Sequence, residues 1–336
     1  MTERTHTVVI GKDHSSSHVL SQGVPQGSVM GPILFTMYTS PLESLIDQHG
    51  VKKMFYADDT QLYVAFKHTD FNDVSLKISE CMKTVKEWSR VNGLKLNNSK
   101  TEFLHITSRF RATVPITSIC LDGSLIQATE TCRNLGVTFD NKFTMEKFVA
   151  QKCRSASFAL HKIGRIRSVL DKQTAERLVH AFVMCHIDFC NGLLQGLPAG
   201  QTQRLQTIQN SAARLVSRTK KYQSISPVLH SLHWLPVRYR IMFKILLLTH
   251  QCFHNLAPSY LTELLTIYKP VRNLRSGKKN FFVVPPVLTK TYGERTFAHS
   301  APIMWNNLPD ALRSINSMEN FKSALKTYLF ELSVIS

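Results

Sequence analysis

Near residue 140 the spacing of apolar residues changes, and with it the structures this chain can adopt. Up to that point the pattern is mixed. Arg4–Ile10 reads as a strand, and Gln22–Pro32, with three glycines and two prolines, as a loop. A helix begins at Pro32, restarts at Ser40-Pro41-Leu42-Glu43 as a capping box and ends near Gly50. Two β-rich runs, Lys53–Tyr56 and Thr60–Phe66, flank a short acidic turn, which predicts a hairpin. Val74, Ile78, Met82, Val85 and Trp88 form a helical stripe within Phe71–Val91, closed by Gly93. Strand-like segments follow at Glu102–Ile106, Ile119–Ile126 (turning at Asp122-Gly123) and Asn134–Phe139. Beyond Phe143 the periodicity predicts helices at about 144–168, 172–194, 201–219, 226–233 and 237–254, then a loop-rich tail ending in a helix with Phe321, Leu325 and Leu329.

Charge changes at the same place. Residues 1–140 hold 14 basic and 14 acidic side chains, so the whole formal charge of +18 lies in 141–336. A basic region beside a neutral one points to a polyanionic partner, most simply nucleic acid, although a basic helical domain needs no such partner to be soluble. Seven cysteines without a C-x-x-C pair read as free thiols in a reducing compartment. His186 with Cys190, and His250 with His254, are each four apart and could share a zinc ion if their helices met. Buried thiols and surface histidines are the simpler reading. No apolar leader opens the chain and no run spans a bilayer, so an intracellular location, nuclear or cytoplasmic and not secreted, is expected.

Asp58 and Asp59 sit between the two runs of the expected hairpin. Paired carboxylates are costly in a core, but on a tight turn they can reach a hard divalent cation while the strands hold the backbone. Two-metal phosphoryl transfer uses such groups. An Asp-Asp turn alone is common, and the surrounding motifs carry the rest of the argument.

Gln22-Gly23-Val24-Pro25-Gln26-Gly27-Ser28-Val29-Met30-Gly31-Pro32 resembles the second signature motif of reverse transcriptases. Phe55-Tyr56-Ala57-Asp58-Asp59-Thr60 resembles the third, at fitting order and spacing. The likeness continues: the segment from Gly93 to Glu102 looks like the next motif, and Asn134-Leu135-Gly136-Val137 looks like the primer-gripping hairpin. Further on, Asp188-Phe189-Cys190-Asn191, Leu205 to Arg214, Leu232 to Arg240 and Trp305-Asn306-Asn307-Leu308-Pro309 narrow the resemblance to jockey-like, LINE-type (non-LTR) retrotransposon enzymes, and to their C-terminal half.

That resemblance implies an α+β fold: an incomplete palm (a hairpin-bearing antiparallel sheet with helices), then a mainly helical thumb and a C-terminal extension. The expected regions are 1–140, 141–269 and 270–336. It implies RNA-directed DNA synthesis from deoxynucleotides with Mg2+ held by Asp58 and Asp59, and Lys100 near the triphosphate. Gly23, Pro25, Gln26, Gly27, Ser28 and Tyr56 would meet substrate or template, and Leu135, Gly136 and Val137 the primer end. Arg214, Arg218, Lys220, Lys221, Arg238 and Arg240 are the candidate phosphate contacts on template RNA and primer DNA. The family's first motif supplies a further metal-binding aspartate, which has no counterpart here. Asp13 lies in a turn, and the fingers are also missing. The expectation is therefore a truncated product with little polymerase activity alone, its palm sheet left with an unpaired edge. The competing expectations are a non-enzymatic nucleic-acid-binding remnant and a product with no stable fold.

Overall fold

The computed structural model describes residues 4–20, 23, 27–110, 116–121, 123–269 and 280–335. The chain divides into two compact units, Met1–Glu130 and Thr131–Ser336. Helices and small antiparallel two-stranded sheets make it an α+β protein.

The first unit opens with β1 (Arg4–His6), β2 (Val9–Ile10), β3 (Asp13–His14) and β4 (His18–Leu20). The single strand expected over Arg4–Ile10 is broken: β1 pairs with β4, and β2 with β3. Then come α1 (Gly31–Thr39) and α2 (Pro41–Gln48). The capping box expected at Ser40 does not form. Ser40 is itself helical, and its hydroxyl donates back to the Met37 carbonyl at 2.9 Å. Gly50, at φ +58°, turns the chain into β5 (Lys52–Tyr56), which pairs with β6 (Asp59–Tyr63). α3 (Phe71–Val91) covers the expected span, but its most buried line is Cys81, Val85 and Ser89, one residue aside from Met82. The core is small: Leu42, Ile46, Val51, Cys81 and Val85, with Phe55, Leu62, Val64, Trp88 and Leu96 packed against it. Glu102–Ile106 is not a strand; only Phe103 forms a bridge, with Ala128. β7 (Ser118–Leu121) and β8 (Ser124–Gln127) close the unit as a hairpin. Asp122, half of the turn expected there, lies outside the described residues.

The second unit begins with β9 (Thr131–Asn134) and β10 (Val137–Asp140), an antiparallel hairpin. Val137 joins the helical core, and Thr138 donates to Gln151 at 2.7 Å, so this hairpin groups with the helices that follow it. Those helices are α4 (Glu146–Ile166), α5 (Lys172–Val179), α6 (Cys185–Asp188), α7 (Ala199–Ser217), α8 (Ser226–Ser231) and α9 (Val237–Phe253). After them come α10 (Ser259–Thr262), α11 (Phe297–Asn306), α12 (Asp310–Arg313) and α13 (Met318–Ile335). The single helix expected over 172–194 is α5, a π-helical stretch at His180–Met184, α6 and a 3-10 turn at Asn191–Leu194.

The residues that carried the family likeness here are mostly structural. Trp234 and Trp305 are buried. Gln209 donates to the Leu235 carbonyl at 2.8 Å, and Gln206 accepts from the Val237 amide at 2.8 Å, capping the start of α9. Asn306 clasps Phe282 through both its amide and carbonyl, at 3.0 and 2.8 Å.

Candidate functional site

Asp58 and Asp59 stand at the tip of the β5–β6 hairpin. Tyr56 and Asp59 form the last rung of the ladder, leaving Ala57 and Asp58 as a two-residue turn. Ala57 takes φ +52°, a left-handed conformation that alanine adopts only at a cost. Both carboxylates are exposed, as is Tyr56 at 64%. The strands behind them are anchored. Phe55 and Leu62 pack on the core, and Lys53, with a side chain only 10% exposed, pairs with Asp47 and, at 3.7 Å, with Glu43 of α2. The sequence therefore builds a held hairpin with two carboxylates presented to solvent, a start on a hard-cation site. Among the described residues, no cluster of three His, Cys, Asp or Glu side chains could hold a metal ion. The zinc arrangement considered for His186, Cys190, His250 and His254 is therefore not formed. His250 instead stacks on Phe321, centroids 4.2 Å apart, and its Nε2 lies 2.8 Å from the Ile315 carbonyl.

The glycine-rich loop before α1 is described in part. Gly23 and Gly27 have φ of +79° and +86°, with nothing within 4 Å of an added Cβ, so backbone conformation rather than crowding requires glycine there. The Ser28 hydroxyl accepts from the Gly31 amide at 2.9 Å and is committed to the start of α1. Pro25 and Gln26 lie outside the described residues. Lys100 ends a 3-10 turn that Asn97 caps by accepting from the Ser99 amide. It is exposed, and no ion pair among the described residues links it to Asp58 or Asp59.

In the second unit, Leu135 and Gly136 form the β9–β10 turn, with φ of +45° and +79°. Leu135 is exposed and Val137 buried beneath it. A Cβ on Gly136 would come within 3.0 Å of the Phe189 ring, and Lys152 Nζ lies 3.8 Å over that ring. Burial between Phe189 and Phe148 pushes the Lys152 ammonium down from the ordinary lysine value.

The six basic candidates divide. Arg240 is engaged by both oxygens of Asp188, and Arg214 donates to the carbonyls of Lys220 and Gln223 at 2.6 and 2.9 Å. Arg218 ends α7 at φ +55° and donates to the Arg167 and Ser168 carbonyls at 3.2 and 3.3 Å. Lys220, Lys221 and Arg238 are exposed. Sequence reasoning passed over α4, which carries five basic residues and one acidic. Lys147, Arg154, Phe158, Lys162 and Arg165 all face solvent, on neighbouring turns of one side. Phe158 is 61% exposed with Lys162 Nζ 4.5 Å over its ring, and a shallow cleft of about 470 Å³ between Leu160, His161, Arg165 and Leu215 runs alongside. Helical spacing of basic residues was the available signal; family motifs drew the choice elsewhere.

Residues 3–139 match the reverse transcriptase (RNA-dependent DNA polymerase) family. Over that stretch the chain is similar to reverse transcriptases, and its relatives include RNA-directed DNA polymerases of mobile elements. Among similar curated proteins is a probable RNA-directed DNA polymerase from transposon BS of Drosophila melanogaster, 24% identical over 234 residues, which is 66% of this chain and 25% of that protein. The RNA-directed DNA polymerase from mobile element jockey of the same organism is 27% identical over 154 residues, 44% of this chain and 16% of that protein. A retrovirus-related Pol polyprotein from type-1 retrotransposable element R1 of Nasonia vitripennis is 23% identical over 226 residues, 64% of this chain and 65% of that protein. The likeness thus covers about a quarter or less of the transposon BS and jockey proteins. No solved structure matches. The matched stretch contains the carboxylate hairpin, the glycine loop and all of the β9–β10 hairpin except Asp140, and no helix among the described residues is long and apolar enough to cross a membrane.

Proposed function

We propose that this chain is the palm-and-thumb portion of an RNA-directed DNA polymerase that copies retrotransposon RNA. The single observation that supports it most is the anchored hairpin presenting Asp58 and Asp59 inside the stretch that matches reverse transcriptases. In this reading the first unit is palm, and the second is thumb with a C-terminal extension holding template RNA and primer DNA. Magnesium is bound through few protein carboxylates plus water and substrate phosphates, which suits an exposed Asp58–Asp59 pair. An ion held by Asp58 and Asp59 would stabilise charge on the triphosphate and would lower the pKa of the attacking 3′-hydroxyl. The chain's own part is to hold the carboxylates on a strand ladder, to offer glycine backbone at Gly23 and Gly27, and to steady the primer end on Leu135 and Gly136. Location inside the cell, nuclear or cytoplasmic, belongs to the same proposal.

With no third carboxylate beside the pair among the described residues, the chain alone is expected not to extend a primer on RNA with magnesium and four deoxynucleotides. Extension that disappears in the Asp58→Ala, Asp59→Ala double variant would overturn that expectation. A second reading, nucleic-acid binding without chemistry, is favoured by the α4 stripe, which is independent of the carboxylates. The two readings share one measurement, binding of a labelled RNA–DNA hybrid against salt. The double aspartate variant should bind as the parent does. Replacing Arg154, Lys162 and Arg165 with Gln should reduce the slope of log K on log salt by about 3, at roughly 0.9 per lost duplex phosphate contact. A hybrid that does not bind at any salt concentration rejects both.

A further inference from the structure

The first unit is neutral as a whole, yet its charge is unevenly placed. The C-terminal half of α3 and the loop after it enclose a cavity of about 500 Å³, lined by Lys83, Lys86, Arg90 and Lys95 around the single acid Glu87, with Leu96 among its apolar lining. Glu87 is already taken, accepting two bonds from Arg90 at 2.6 and 2.9 Å. Lys83, Lys86 and Lys95 are exposed. The helix dipole accounts for a cation in the last turn, where Arg90 lies, but not for Lys83 two turns earlier or Lys95 beyond the helix. Four of the eight lining residues are cations against one acid, and a concave surface with that excess of positive charge attracts a polyanion.

We infer that this groove binds the sugar–phosphate backbone of single-stranded nucleic acid, a contact separate from Asp58–Asp59 and from α4. Its size, about 500 Å³, admits a nucleotide or two of one strand. From Lys83 to Arg90 the helix rises about 10 Å, long enough to follow about two successive phosphates of a strand. None of the described residues lining the cavity is aromatic, so these side chains do not stack on bases, and binding is blind to sequence and sensitive to salt. The inference rests on the reading that the chain handles nucleic acid and adds a second point of hold on the strand.

The test uses the full chain and a 15-nucleotide oligouridylate carrying 4-thiouridine. Crosslinks mapped by mass spectrometry should fall within residues 83–98, and the Lys83→Gln, Lys86→Gln, Lys95→Gln variant should lose them. That variant should also lower the salt slope of single-strand binding by about 2, at roughly 0.7 per lost contact, and weaken binding about tenfold at low salt. All three sites are exposed, and an unchanged far-ultraviolet circular dichroism spectrum establishes the fold. If the parent binds but crosslinks lie elsewhere and the triple variant matches its slope, the groove is not a binding site and the wider reading stands. If the parent binds no nucleic acid, the wider reading falls and this one with it. If polyglutamate of equal charge displaces the strand from the groove as well as RNA does, the occupant is an acidic peptide and the assignment to nucleic acid is wrong.

Discussion

Leu135 is a poor residue for its place. A two-residue turn with both φ values positive favours Asn-Gly, and a leucine held at +45° costs about 1 kcal/mol. The residue is 45% exposed, so burial offsets little of that cost. Leu135→Asn should stabilise the second unit by about 0.5–1 kcal/mol in urea unfolding while weakening hold on a primer–template hybrid. An unchanged hybrid affinity would remove Leu135 from the grip. His250 makes a different prediction. Burial lowers its pKa, a backbone bond to Ile315 opposes this and His254 adds to it. A base with a depressed folded pKa takes its proton more readily when unfolded, so the stability it contributes is full above about 6.5 and is lost as pH falls below it. The urea midpoint should fall between pH 7 and pH 5, and fall less in His250→Gln. At this scale the sequence was legible where a residue's chemistry is unusual, as with Asp58 and Asp59. It was silent on Arg240 and Arg214, whose guanidinium groups look like any others until Asp188 and two carbonyls are seen to occupy them.

Among the elements, the segment joining β10 to α4 depends on one side chain. Asp140 is buried and accepts from the amides of Lys142, Thr144 and Met145 at 3.1, 2.9 and 2.7 Å, and from the Thr144 hydroxyl at 3.1 Å. Those bonds hold Phe143 and Met145 at positive φ and aim α4. Asp140→Ala should cost the second unit about 3 kcal/mol, measured by denaturant unfolding, because three amides lose their acceptor. Helices α4, α7, α8 and α9 were readable to within a few residues because period alone reports a buried face, whereas the helix expected over 172–194 is broken and α11 lies in the tail expected to be loop-rich. The strand expected at Glu102–Ile106 failed for a related reason. A short apolar run is strand-like wherever it lies, but a ladder needs a partner, and only Ala128 meets it.

At the scale of the molecule, the two units differ in how much holds them. The first is built on a handful of buried side chains, whereas the second carries a continuous core from Val137 to Leu329. Stability should follow: calorimetry is expected to show the first unit melting below the second, and limited proteolysis to leave a resistant fragment starting near residue 131. A fragment starting instead within α4 would mean that the β9–β10 hairpin is not held by the helices. The charge boundary read from sequence lies near 140 because charge is blind to packing. The hairpin in between is nearly neutral but buries Val137 among the helices.

The π-helical stretch at His180–Met184 sets what comes after it. One turn there holds an extra residue, so everything downstream is a step out of phase with a regular α-helix begun at Lys172. Asp188 meets Arg240, and Phe189 lies against the Gly136 turn, in the phase that this offset sets. Removing a single residue from the stretch would restore regular winding and turn both side chains by about 100° around the axis. The hairpin tip and the ion pair on α9 are thus geared to one tooth in a helix that contains no residue of the candidate site itself.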